Sequence, residues 1–307
     1  MKILVTGGAG FIGSHVVDTF LAAGHSVVIV DNLSSGRERN LNPGARFYKI
    51  DIRDPKLIEV LEAEKPDIID HHAAQIDVRK SVTDPIFDAQ INILGTLNLI
   101  DAACKTGVRK FIYISSGGAA YGEPLYLPCD EKHPIDPLSP YGVTKHTMEH
   151  YLFLYEKIYG LDYSVLRYAN VYGPRQDPYG EAGVVAIFTG QMLSDKPVTI
   201  FGSGKQERDF VYVKDCARAN LMVAEKEHRG IFNIGCGVGS NINQIFSTLK
   251  TITGYPKEAN YAPAKAGETF KIYLDNRLAA KELGWKPTVS LEEGLRQTVD
   301  YFLQNEK

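Results

Sequence analysis

The sequence predicts an α/β fold, a doubly wound parallel sheet followed by a smaller C-terminal lobe. Three observations predict it. Short β-branched or aromatic runs alternate with longer helical patterns through the first half of the chain. A glycine triplet follows the first of those runs directly. Beyond Asn170 the alternation loosens into a Pro- and Gly-rich loop, PRQDPYGEAG, and shorter elements.

In chain order, the strand candidates are Lys2–Thr6, Ser26–Asp31, Arg46–Ile50, Asp67–His71, Lys110–Ser115 and Tyr163–Tyr168. The helix candidates between them are Phe11–Ala23, Lys56–Glu64, Phe87–Lys105 and Tyr141–Tyr159. Strand–helix alternation of this kind specifies a parallel sheet covered on both faces. Residues 1–168 are therefore assigned to the sheet domain and 169–307 to the second lobe. The strands Phe210–Val213 and Ile231–Ile234 are expected to return to the main sheet. A VTIFG strand and a terminal helix near Leu291–Leu303 complete the lobe. A chain of 307 residues is long enough for two fused cores.

With 44% hydrophobic and 23% charged residues, the composition is that of an ordinary packed protein. A net charge of −3 leaves no electrostatic footprint for nucleic acid or an anionic membrane surface. The chain has no run of about twenty apolar residues, and its first residues read as a strand and turn. A soluble protein is expected. Cys104, Cys129, Cys216 and Cys236 are scattered without CxxC or metal-ligand spacing, which fits reduced thiols and a cytoplasmic address.

Gly7, Gly10 and Gly13 in TGGAGFIG close the first strand, and with Phe11 and Ile12 they open the first helix. Glycine there lets backbone N–H groups approach a pyrophosphate at the positive end of the helix dipole. Asp31 ends the second strand 18 residues after Gly13, where a carboxylate accepts from adenine-ribose hydroxyls and repels a 2′-phosphate. NAD is thus favoured over NADP, with Asn32 beside it and Arg37 and Arg39 read as solvated loop charges. Asp51 and Ile52 follow the third strand. Asp51 either meets an adenine edge or caps the next helix.

Ser139-Pro140-Tyr141 reads as a helix start, with Ser as N-cap. Tyr141 and Lys145 then share one helical face. A neighbouring ammonium favours the phenolate, which makes Tyr141 a plausible acid/base. His146, Glu149 and His150 on the same helix spell HxxEH, a formal match to an inverted zinc-protease motif. A Lys145–Glu149 pair one turn apart is the simpler reading, and no metal is expected. His71 and His72 read as strand-end residues lining the cofactor cleft.

In order along the chain stand TGGAGFIG, DN at 31–32, HHAAQ at 71–75, SSGGAAYG at 115–122, SPYGVTK at 139–145, RYANVYGP at 167–174 and RDFVYV at 208–213. This series resembles the extended short-chain dehydrogenases, a Rossmann-type family, and within it the UDP-glucose (UDP-galactose) 4-epimerases. The resemblance runs from end to end. It implies a tightly held NAD and epimerisation at C4 of a UDP-hexose through a transient 4-keto sugar, with the N-acetylated forms open because Ile272 falls where bulk limits them.

By the same resemblance, Tyr141 is the base and Lys145 lowers its pKa while holding the nicotinamide ribose. Ser116 supplies the hydroxyl that the family places at Gly117. Cofactor contacts then fall on Ala73, Ala74, Gln75, Asn92, Ser115 and Tyr168. Substrate contacts fall on Tyr121, Asn170, Val184, Phe188, Phe201 and Arg208, and on Lys265 and Glu268 where the family has Arg and Asp. The helices Phe87–Lys105 and Tyr141–Tyr159 would pair across a homodimer axis. A 4,6-dehydratase is disfavoured because Gly and Ala stand where that branch carries acids. A UDP-glucuronate 4-epimerase or decarboxylase and a non-catalytic NAD sensor are the remaining rivals.

Overall fold

A computed structural model describes residues 1–179, 183–226, 228–264 and 269–305. The strands are β1 (Lys2–Thr6), β2 (Ser26–Asp31), β3 (Arg46–Lys49), β4 (Ile68–His71), β5 (Lys110–Ser116) and β6 (Asp162–Tyr168). With Gly230–Ile234 beyond β6, they form a seven-stranded sheet in the order β3-β2-β1-β4-β5-β6 and then Gly230–Ile234. Every pairing in it is parallel. The strand order reverses between β1 and β4, and a doubly wound sheet opens its ligand crevice at that point, beyond the carboxyl ends of the strands.

Both faces are covered, which is why the strands read as continuous apolar runs instead of alternating ones. One face packs Val16, Val17 and Phe20 of helix α1 (Phe11–Ala22) with Ala217 and Val223 from Val213–Glu225. The other packs Leu57 and Leu61 with Leu99, Ile100, Met148 and Leu152. A third core in the lobe joins Val185, Phe188, Ile245, Phe246, Leu295 and Val299.

Two expectations change. The helix read as continuous over Phe87–Lys105 is Pro85–Ala89, a π-helical segment Gln90–Gly95, and Thr96–Thr106. Gly95 sits where an added Cβ would be 2.9 Å from Ile52 side-chain carbons, so the helix passes this point only without a side chain. Phe210–Tyr212 does not join the main sheet. It pairs with Asn170–Tyr172 in a separate two-stranded ladder, because Gly230–Ile234 already occupies the free edge of β6. Short ladders elsewhere join Thr199–Phe201 to Asn260–Ala262, and Glu207–Arg208 to both Ser240–Asn241 and Lys271–Ile272. Among the described residues, no helix is long and apolar enough to cross a membrane.

Candidate active site

The turn after β1 admits only glycine at two places. Gly7 has φ +68°, and a Cβ on it would stand 2.7 Å from the Ala73 nitrogen. A Cβ on Gly13 would stand 2.2 Å from the Gly7 carbonyl oxygen. Gly10 caps α1 without any side-chain hydrogen bond, and no acidic residue occupies the first turn. Helix N–H groups left without a side-chain acceptor are a donor set that fits a pyrophosphate. Phe11 and Ile12 begin that turn, half-buried.

Asp31 is buried at the end of β2, where its oxygens accept from the Ala9 N–H at 3.0 Å and the Leu33 N–H at 2.8 Å. Burial raises its pKa against those two bonds. Asn32 donates to Asp51 at 2.8 Å, and Arg53 grips the same carboxylate through Nε at 2.9 Å and Nη2 at 2.8 Å. The Arg53 bonds hold the Asp51 carboxyl well below the usual range. Capping is not its role, since the next helix, Leu57–Glu64, has Lys56 at its N-cap. Ile52 is buried beneath it. Arg37 is not simply solvated, because it pairs with Asp177 from the second half of the chain.

His71 does not line the cleft. It is buried, with Nδ1 2.7 Å from Thr6 Oγ1 and Nε2 2.9 Å from Thr96 Oγ1, and burial holds it neutral. The His72 ring turns inward to within 3.0 Å of the buried Asp70. What reaches the cleft is the following backbone, with Ala73 and Ala74 half-buried and the Ala73 N–H donating to Thr6 Oγ1 at 3.2 Å. Gln75 and Asn92 clasp each other, backbone to amide, at 2.9 and 3.0 Å. Both also donate to the fully buried Asp88, at 2.8 and 3.1 Å, which accepts from Thr144 Oγ1 at 2.7 Å as well. Asp88 was not anticipated. Its only signal in the sequence is its place one helical turn before Asn92.

The long helix Pro140–Tyr159 starts where expected, with Ser139 Oγ accepting from the Gly142 N–H at 3.2 Å. A Cβ on Gly142 would lie 2.5 Å from the Ala119 carbonyl oxygen, so this helix start abuts the short turn Gly117–Ala120 that follows β5. That contact carries half-exposed Tyr141 toward the end of β5. Lys145 is buried with Nζ 4.8 Å from the centre of the Tyr113 ring. Burial pulls its pKa down to about 8 against the pull of Asp88 and Glu149.

The two serines that end β5 part company. Ser115 Oγ donates to Glu149 at 2.6 Å beneath the sheet, so its side chain is spent there and only its backbone is left for a cofactor. Ser116 faces the other way. An ideal Cβ on Gly118 would be 3.9 Å from Ser116 Oγ and 3.6 Å from Asn170 Oδ1, which places both groups around one point. At Gly117 a Cβ would lie 2.5 Å from Leu274, so no hydroxyl fits at that position without displacing the core.

The Lys145–Glu149 pair is replaced by a different one. Glu149 is gripped by Arg167 through Nε at 3.0 Å and Nη2 at 2.5 Å, and His146 Nδ1 lies 3.1 Å away. Arg167 continues to the Tyr121 hydroxyl at 2.9 Å, which donates to Asn233 at 2.7 Å. Tyr121 is therefore a buried strut between Arg167 and Asn233, and burial raises its hydroxyl to about 12. Tyr168 is likewise buried, its hydroxyl bonded by Asn220. Among the described residues, no group of three or more His, Cys, Asp or Glu could hold a metal.

On the lobe side, Asn170 is exposed beyond β6, and Arg208 is half-buried with Nη1 2.9 Å from the Glu207 carbonyl oxygen. Phe201 is exposed at a strand end and Val184 half-buried at the start of Val184–Leu193. Phe188 is buried against Phe246 with ring centres 6.2 Å apart. Lys265 and Glu268 lie outside the described residues.

Residues 3–235 match the model of the NAD dependent epimerase/dehydratase family. The chain belongs to that family. It is 45% identical, over 98% of both chains, to a UDP-glucose 4-epimerase of Mycolicibacterium smegmatis. Its fold matches the crystal structure of a Thermotoga maritima UDP-glucose 4-epimerase with UDP-glucose at TM-score 0.98 and 52% identity, covering 100% of each chain. It also matches the Thermus thermophilus UDP-glucose 4-epimerase in complex with NAD at TM-score 0.95 and 42% identity, covering 99% of this chain and 100% of that one. As a member of this family the chain is an NAD-dependent enzyme, and the uncapped α1 and Asp31 are the features that suit that cofactor.

Proposed function

We propose that this protein interconverts UDP-glucose and UDP-galactose by epimerisation at C4, with UDP-N-acetylhexosamines as further substrates to test. The observation that carries the reading is the convergence of Ser116 and Asn170 beside Gly118, with the Tyr141 helix start packed on that same turn. Bound NAD would accept the C4 hydride and return it to the opposite face of the resulting 4-keto sugar. Tyr141 takes the proton from the 4-hydroxyl and gives it back after the sugar has turned. Lys145, a desolvated cation one turn along, favours the phenolate, and Ser116 holds the reacting oxygen. Gly7, Gly10 and Gly13 admit the pyrophosphate, and Asp31 selects the unphosphorylated ribose. Arg208 and Asn170 anchor the UDP-sugar from the lobe, for which the parts of residues 169–307 outside Val213–Glu225 and Gly230–Ile234 are the proposed unit.

A homodimer is proposed through the exposed apolar residues Val143, Leu154 and Ile158 on the long helix and Leu94 on its neighbour, an unusual concentration for a solvated face. The free cysteines suit a reducing cytoplasm.

Purified protein is denatured and assayed for released NAD, and fresh enzyme is incubated separately with UDP-galactose, UDP-N-acetylgalactosamine, UDP-glucuronate and TDP-glucose. Conversion of UDP-galactose supports the proposal. Its return unchanged while UDP-glucuronate is consumed transfers the assignment to the glucuronate branch.

A further inference from the structure

The HxxEH motif is not absorbed by the active site, and its two histidines form a unit of their own. His146 and His150 stand one turn apart on the long helix, with their Nε2 atoms 3.0 Å apart. Their ring centres are 4.6 Å apart and the planes lie at 70°, so the rings meet through converging nitrogen edges and not by stacking.

The orientation of the His146 ring is set from behind. Glu149 Oε2 lies 3.1 Å from His146 Nδ1, and Arg167 grips the same carboxylate through two nitrogens. A carboxylate oxygen accepts from an Nδ1–H at this distance, which leaves Nε2 as the nitrogen that faces His150. A carboxylate bonded to the far nitrogen of an imidazole is the usual support of a metal-binding histidine. Here that carboxylate is itself held by Arg167 at 3.0 and 2.5 Å and by Ser115 at 2.6 Å. His146 is thus oriented before any ligand arrives, and the hydrogen bond between the two Nε2 atoms is the contact an ion would replace.

We propose that His146 and His150 form a two-imidazole site for a divalent transition metal, supported from behind by Glu149. The spacing indicates which metals. With metal–nitrogen bonds of about 2.05 Å, two donors 3.0 Å apart subtend roughly 94° at the ion. That is a cis pair of a square-planar or octahedral ion, and it is narrower than the tetrahedral angle of structural zinc. Imidazole donors in that arrangement favour Ni²⁺ and Cu²⁺ over Zn²⁺. Water fills the remaining positions in a monomer. In a dimer through this helix face, the second copy can fill them, giving one ion for two chains.

The test uses full-length, NAD-loaded chain without an affinity tag, stripped of metal and titrated with Ni²⁺ by calorimetry and equilibrium dialysis. His150→Ala removes one exposed donor and should weaken binding at least about tenfold, as loss of a metal-site partner typically does. His228→Ala, which deletes a histidine elsewhere, should leave binding unchanged. Zn²⁺ should bind more weakly than Ni²⁺. Equal Ni²⁺ affinity in wild type and His150→Ala, with NAD content intact in both, would mean that the imidazoles form a hydrogen-bonded pair only, and the proposal falls.

Discussion

The sheet half and the C-terminal lobe differ in the buried polar networks each contains. In the sheet half, backbone donors are satisfied by long parallel ladders, and two networks join buried side chains to one another, Gln75–Asn92–Asp88–Thr144 and Ser115–Glu149–Arg167–Tyr121. The lobe has ladders of two or three residues, and two buried carboxylates beyond Asn170 bond to the backbone of irregular chain. Asp209 accepts from the N–H groups of Cys236, Gly237 and Leu274 at 2.7, 3.1 and 3.1 Å. Asp215 accepts from those of Thr288 and Val289 at 3.0 and 3.1 Å. The difference shows what each region is for. Networks of side chains can be aimed at a site, whereas carboxylates that satisfy loop amides hold irregular chain in place.

That contrast can be broken most sharply at Tyr141. Tyr141→Phe should lower turnover by about 10³-fold, within the range for a positioned acid/base, while released NAD per chain stays unchanged. Loss of NAD from the variant would show the tyrosine to be part of the scaffold instead. Next in size, Glu149→Gln leaves the buried Arg167 without its counter-charge and should cost about 3–5 kcal/mol, read as a lower urea midpoint. A stability within 1 kcal/mol of wild type, on the scale of ordinary surface changes, would mean the network is not what organises this half.

His15 joins the two regions, since its ring lies on α1 with Nε2 2.9 Å from the Pro174 carbonyl oxygen. Burial lowers its pKa to about 4, against about 6.5 for an unfolded histidine. The unfolded chain therefore binds the extra proton first, and stability rises as pH rises from 4 to 6.5 and is level above. Between pH 7 and pH 4 this one group should remove about 3 kcal/mol. Denaturant titrations of His15→Gln across that range should show a correspondingly flatter profile. The smallest effect belongs to the lobe. Arg208→Leu should raise KM for UDP-galactose about 10- to 100-fold, the value of a charged hydrogen bond, with kcat less affected and NAD content unchanged. A drop in kcat with constant KM would move Arg208 from anchoring the substrate to the chemistry.

The parts that were legible in sequence are those governed by neighbours along the chain. The parallel strands follow from apolar runs, the first turn from glycines whose missing Cβ atoms the structure requires, and the start of the Tyr141 helix from Ser139 and Pro140. Tyr141 and Lys145 share a face through helical geometry alone. In contrast, adjacent Ser115 and Ser116 look equivalent as letters. Only the pleat of β5 against the long helix sends the first to Glu149 and leaves the second near Asn170. Glu149 was given the cation one turn away, but the tertiary fold brings Arg167 from β6, which reaches both oxygens and takes it. The same holds for the inward turn of Asp88 and Asn92, which depends on a helix passing Ile52 at Gly95. Periodicity and backbone preference are short-range and survive in the sequence. The partner of a buried charge is decided by which elements pack together, and that is settled only in three dimensions.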